Sequence, residues 1–162
     1  MVQYLTMTLP EYEPFIRSRF GTDADMVLSN YPATSPQELK ISLERIMTKY
    51  DFTDAAIFVA GYMSDLNRKT YLYRFSYSMP GQPLGASHGS ELFMMFGYSK
   101  IPLDAQSLQV SEMMMDLWVR FVQTGDPNGK NSVVWPQYSR EEERYLDIGL
   151  NPVEKRGYEE SS

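Results

Sequence analysis

"KTYLYRFSYSMPGQPLGASHGSELFMMFG", residues 69–97, decides how this 162-residue chain is read. Tyr71, Tyr73, Phe75 and Tyr77 alternate with Leu72, Arg74 and Ser76. That period of two, in aromatic residues, predicts a strand over about 70–77. "MPGQPLG" is rich in Pro and Gly and reads as a loop, and "SELFMMFG" predicts a short helix closed by Gly97. His88, the only histidine of the chain, stands in the loop between strand and helix. Around it, Gly85-Ala86-Ser87-His88-Gly89 spells G-x-S-x-G, the pattern of a serine nucleophile elbow. An elbow needs strand, immediate turn and helix, so that the serine Oγ is lifted clear and a backbone N–H faces the oxyanion. Here Met79 to Leu84, with two prolines, separate the strand from the motif. Ser87 and His88 are also sequence neighbours, whose side chains diverge, whereas a base must come within about 3 Å of its nucleophile. Ser87 is therefore read as a loop serine. His88 lies just past the C-terminal end of a strand, where α/β enzymes place catalytic groups, and a reference pKa of about 6.5 suits proton transfer. Position alone does not separate that role from a loop histidine without chemistry.

Outward from this stretch, helices dominate. "TLPEYEPFIRSRFG" (8–21) has Thr8 to cap, Pro10 in the first turn, Glu11 to complete a capping box and Gly21 to stop. "TDADMVLSN" (22–30) must end by Tyr31 because Pro32 follows. In "TSPQELKISLERIMTKYD" (34–51), Ser35 caps, Pro36 is the first helical residue, and Leu39, Leu43, Ile46, Met47 and Tyr50 make one apolar stripe. "DAAIFVAGYMSDLNR" (54–68) is apolar around most of its circumference and is expected to be a largely buried helix. "QSLQVSEMMMDLWVRFVQTGDPNG" (106–129) is a long amphipathic helix stopped by Gly125, followed by a turn in which Pro127 fixes φ and Gly129 is free to take positive φ. A short strand is expected through "RYLDIG" (144–149), and "NPVEKRGYEESS" (151–162) is expected to fray. No repeat, low-complexity tract or linker is evident, so residues 1–162 read as one domain.

Composition narrows the function. There are 21 acidic against 15 basic residues, net charge −6, which argues against a nucleic-acid partner. The absence of cysteine excludes disulfides and thiolate metal sites, and one histidine leaves little for zinc. No stretch reaches the roughly 20 apolar residues of a membrane span, and no signal peptide is visible at the N-terminus. The expectation is a chain with no membrane partner and, by default, a cytoplasmic one. Trp118, Phe121, Trp135 and the methionines at 113–115 are read as core.

The run "GASHGSELFMMFG" resembles the histidine motif of type-B carboxylesterases, the cholinesterase-like branch of the α/β-hydrolases, written Gly-Ala-x-His-(Gly)-x-Glu-(Leu)-x-x-x-Phe-Gly. Tyr31-Pro32, "TDAAIF" (53–58) and "YLYRFSY" (71–77) resemble the family's upstream order. "LWVRFVQTGDPNG" (117–129) and "WPQYS" (135–139) are similar to its W-x-x-F-x-x-T-G-D-P-N and W-P-x-Y segments. The resemblance implies an α/β class: the C-terminal part of an α/β-hydrolase fold, mostly helices around one or two strands.

By the same resemblance His88 corresponds to the general base, Glu91 to the family's glutamate after it, and Gly85 and Gly89 to the residues that shape the loop. Glu91 is read as a group that ties the loop down, favoured in a first helical turn by the helix dipole; the alternative is a solvated helix-start acid. In this fold the triad runs Ser, acid, His along the chain. No plausible elbow or HGGG-like run precedes His88, and neither Glu11 nor Glu13 is assigned as the acid. The implied function is a carboxylic ester hydrolase segment supplying the histidine base, inactive alone, with no cofactor and with an ester substrate only in a complete enzyme. The implied partner is a missing N-terminal hydrolase segment or a second copy of the chain. The rival expectation is a non-enzymatic module that self-associates through its strand and apolar face.

Overall fold

The computed structural model describes residues 6–81, 86, 89–96, 103–129 and 133–157. Its contacts divide the chain into two compact units, the first running to Ala56 and the second starting at Ile57.

The first unit is helical. α1 spans Leu9–Phe20 and α2 spans Ala24–Asn30, joined by a short 3₁₀ turn at Gly21–Asp23. The Glu11 carboxylate accepts from the Thr8 backbone N–H at 2.8 Å and from its hydroxyl at 2.6 Å, so the first turn is closed by the residues the sequence nominates. Gly21 ends α1 at φ 55°, and Tyr31 ends α2 before Pro32. α3 covers Pro36–Met47, with the Ser35 hydroxyl accepting from Glu38 N–H at 3.2 Å. It runs on into a π-helical turn at Thr48–Thr53, which the sequence pattern does not announce. Tyr12, Ile16, Val27, Tyr31, Leu39, Leu43 and Ile46 form the core, and the Tyr12 hydroxyl is satisfied by the Tyr31 carbonyl at 2.5 Å.

α4, Asp54–Asp65, departs from expectation. Only Ala60 and Gly61 are buried within it, while Phe58 is 70% exposed and Val59, Tyr62 and Met63 are exposed as well. Its small-residue face meets Arg140, whose guanidinium stands 2.7 Å from where a Cβ of Gly61 would be and pairs with Asp65 at 2.8 Å.

The second unit is built on a three-stranded sheet in the order β1-β2-β3, with β1 at Tyr73–Phe75, β2 at Arg144–Ile148 and β3 at Val153–Arg156. β1 and β2 are parallel, Tyr73 opposite Leu146 and Phe75 opposite Ile148; β2 and β3 are antiparallel. β1 is shorter than the predicted 70–77. Ser76 and Tyr77 both donate to the Ile148 carbonyl, which ends the regular ladder, yet Thr70 and Leu72 remain tethered by accepting from Tyr138 and Leu146. β3 falls within the segment expected to fray. Cross-strand charge holds it: Lys155 meets Asp147 at 2.5 Å and Arg144 meets Glu154 at 3.7 Å.

Two helices cover the sheet, α5 at Ser90–Phe96 and α6 at Ala105–Thr124. Asp104 caps α6 by accepting from Ser107 N–H at 2.8 Å, and Gly125 closes it in the left-handed conformation at φ 72°. Val110, Met114 and Leu117 of α6 pack with Met94, Tyr77, Leu146, Ile148 and Trp135 in the second core. Trp118 and Trp135 lie 4.8 Å apart, Tyr73 meets both edge-on, and the Trp135 indole N–H donates to the Leu72 carbonyl at 2.9 Å. The tryptophans are core, as read. Met115 and Phe121, also read as core, are exposed, although Phe121 touches Tyr71 edge-on.

Candidate active-site segment

The loop singled out by sequence leaves the C-terminal side of β1 and enters α5. Its first residues after β1 are fixed by the shared Ile148 carbonyl, and Tyr77 is anchored further through a 2.9 Å hydrogen bond between its hydroxyl and that of Ser107 on α6. At the other end, Gly89 has φ 79°. A Cβ there would have its nearest neighbour at 3.9 Å, so conformation, not lack of room, is what requires glycine. Leu92 N–H returns to the Gly89 carbonyl at 3.2 Å and starts α5. The helix is held by Met94, fully buried, whose carbonyl accepts from the Ser111 hydroxyl of α6 at 2.6 Å. Thus Tyr77, Ser107, Ser111 and Met94 fix both flanks of the loop.

Of the four expected site residues, Gly89 and Glu91 are placed. His88 and Gly85 lie outside the described residues, as does Ser87. Glu91 is half-buried in the first turn of α5. Burial, and then the Glu91 carboxylate, push the Tyr73 phenol above its ordinary pKa of 10.0. Tyr73 is the neighbour sequence reasoning did not name; its place in the aromatic alternation was the available signal. Ser90 was missed too. It is 2% exposed, and its hydroxyl has no hydrogen bond among the described residues.

Among the described residues no cluster of His, Asp or Glu is arranged to hold a metal ion, and no helix is long and apolar enough to cross a membrane. A shallow cleft of about 150 Å³ between Tyr31, Pro32, Ile41 and Arg45 belongs to the first unit and contains none of the expected site residues.

A small mixed sheet with a parallel pairing and covering helices is consistent with part of an α/β fold. The chain belongs to the carboxylesterase family, whose sequence pattern it matches over residues 13–162, and it therefore carries part of an α/β-hydrolase fold. It is 34% identical over 105 residues to a liver carboxylesterase of Sus scrofa, covering 59% of this chain and 18% of that protein. It is 30% identical over 146 residues to liver carboxylesterase 1F of Rattus norvegicus, covering 82% of this chain and 26% of that one. With carboxylesterase 4A of Bos taurus it shares 33% identity over 106 residues, 61% of this chain and 19% of the relative. The chain thus spans between 18% and 26% of the length of these relatives.

Proposed function

We propose that this polypeptide is the segment of a carboxylic ester hydrolase that carries the general base, His88. The nucleophilic serine, the acid that orients the imidazole and the oxyanion hole then come from other polypeptide. As the serine Oγ attacks the ester carbonyl, His88 takes its proton and passes it to the leaving alcohol. In deacylation His88 takes a proton from water, the hydroxide attacks the acyl carbonyl, and His88 returns the proton to the serine Oγ as the acid leaves. Glu91 acts through the loop and not on substrate. The family match across residues 13–162, which includes the Gly-Ala-x-His-Gly-x-Glu run, is the observation that supports this reading.

The chain alone should not hydrolyse p-nitrophenyl acetate above background. Joined to the upstream part of a hydrolase that supplies a serine and an acid, it should. His88→Gln should then cut turnover by at least about 10⁴, because the remaining groups supply only binding and oxyanion stabilisation. Turnover by the joined protein that survives His88→Gln sinks the assignment. So does turnover by the chain alone that is lost in Ser87→Ala.

One observation favours a second reading, a non-enzymatic module that associates with its own copies. α4 presents Phe58, Val59, Tyr62 and Met63 outward, and β1 lies at one edge of the described sheet. Both readings require that surface to be covered; they differ in the occupant.

A further inference from the structure

The turn after α6 contains Asn128-Gly129, and the Asn128 amide is saturated. Its Nδ2 donates to the Asp126 carboxylate at 2.9 Å and to the Trp135 carbonyl at 3.0 Å, while its Oδ1 accepts from Trp135 N–H at 2.7 Å. Asn128 N–H also reaches the Asp126 carboxylate, at 3.0 Å. One side chain thus clips two segments seven residues apart. Trp135 in turn packs on Trp118, Tyr71 and Tyr73 and bonds Leu72. Gly129 does not take the positive φ open to it. The Arg120 guanidinium occupies the place that a Cβ at 129 would take.

Asparagine followed by glycine is a chemically weak pair. With no side chain to obstruct it, the glycine amide nitrogen can reach the asparagine Cγ. The geometry points to Asn128 as a spontaneous modification site, a deamidation that the clip holds off and whose product loosens the clip irreversibly. In the reaction the Gly129 nitrogen loses its proton and bonds to Asn128 Cγ. The Cγ–Nδ2 bond breaks and ammonia leaves. Water then opens the cyclic imide at one of its two carbonyls, giving aspartate or isoaspartate, with no change of oxidation state. While the clip is closed, Cγ cannot swing toward Gly129 without breaking three side-chain hydrogen bonds. After reaction both Nδ2 donors are gone. A new carboxylate faces the Asp126 carboxylate and the Trp135 carbonyl, both acceptors, so of the three side-chain bonds only the one accepted from Trp135 N–H could re-form.

The test is to age the full chain at mildly alkaline pH, folded and in urea, and to quantify isoaspartate at 128 by peptide mapping. Conversion should be slower in the folded chain on the order of a hundredfold, since the clip must open first. Asp126→Ala, which removes one acceptor, should raise the folded rate severalfold and leave the rate in urea unchanged. Asn128→Ser breaks the clip without the chemistry, and its tryptophan fluorescence should match that of the aged protein. Equal rates folded and in urea would overturn the gating. No conversion at 128 in urea would overturn the site, and aged protein with unaltered fluorescence would overturn the loosening.

Discussion

Asp104 and Asp126 each accept hydrogen bonds from groups ahead of them, and those bonds hold their carboxyls below the ordinary value of 3.8. Ser107 supplies the main cause for Asp104 and Asn128 for Asp126. A carboxyl whose pKa is lower folded than unfolded adds stability that is present in full above about 3.8 and is lost as pH falls through the lowered folded value. The urea midpoint should therefore be insensitive to these two groups between pH 7 and 5 and should fall below pH 4. In Asp104→Asn/Asp126→Asn, where an amide oxygen still accepts but does not titrate, the acid limb should flatten; an unchanged limb would show that other carboxylates dominate it. At this scale the sequence is legible wherever a residue acts on its near neighbours. Thr8 with Glu11, Ser35 with Glu38, and Gly21 and Gly125 at helix ends all do as their identity suggests. Gly129 and Asn128 are not legible, because what they meet, Arg120 and Trp135, arrives from a distance along the chain.

α6 shows what periodicity reveals about an element and what it leaves unsaid. Three methionines, 113 to 115, follow one another, and a 3.6-residue period cannot bury all three on one face. Met114 is fully buried against the sheet, whereas Met115 is 47% exposed. Met114→Ala should cost about 2–5 kcal/mol, the range for emptying a core site, and Met115→Ala less than about 0.5 kcal/mol. Denaturant melts of the two variants give the comparison directly, and equal costs would mean that α6 is not seated as described. β1 and β3 mark the limit of pattern reading. The alternation at 70–77 was correct, but the ladder stops at Phe75 because two successive N–H groups turn to one carbonyl. β3 has no apolar alternation to detect. Its partners are the charges on β2, and such a strand reads as polar tail until its neighbour is known.

At the scale of the whole molecule, the family was legible from a string of motifs along the sequence, and the match over residues 13–162 shows that family. The outward face of α4 was not legible. Small and apolar residues all round a helix signal burial, and Phe58, Val59, Tyr62 and Met63 are nonetheless exposed. The two facts are reconciled if the face is made to be covered by further polypeptide, in relatives about three and a half times the length of this chain or in a second copy. Exposed apolar surface carries a penalty of about 25 cal/mol for each Å² left in water, and a strand at the edge of a sheet, as β1 is among the described residues, invites pairing. The isolated chain should therefore bind a hydrophobic dye strongly and elute as mixed oligomers whose size rises with concentration. Replacing Phe58 and Tyr62 together by Ser should lower dye binding and shift the population toward monomer, with little change in the melting midpoint, since neither side chain belongs to a core. Light scattering coupled to gel filtration decides it. A monodisperse monomer with low dye binding before any substitution would mean that the face needs no cover.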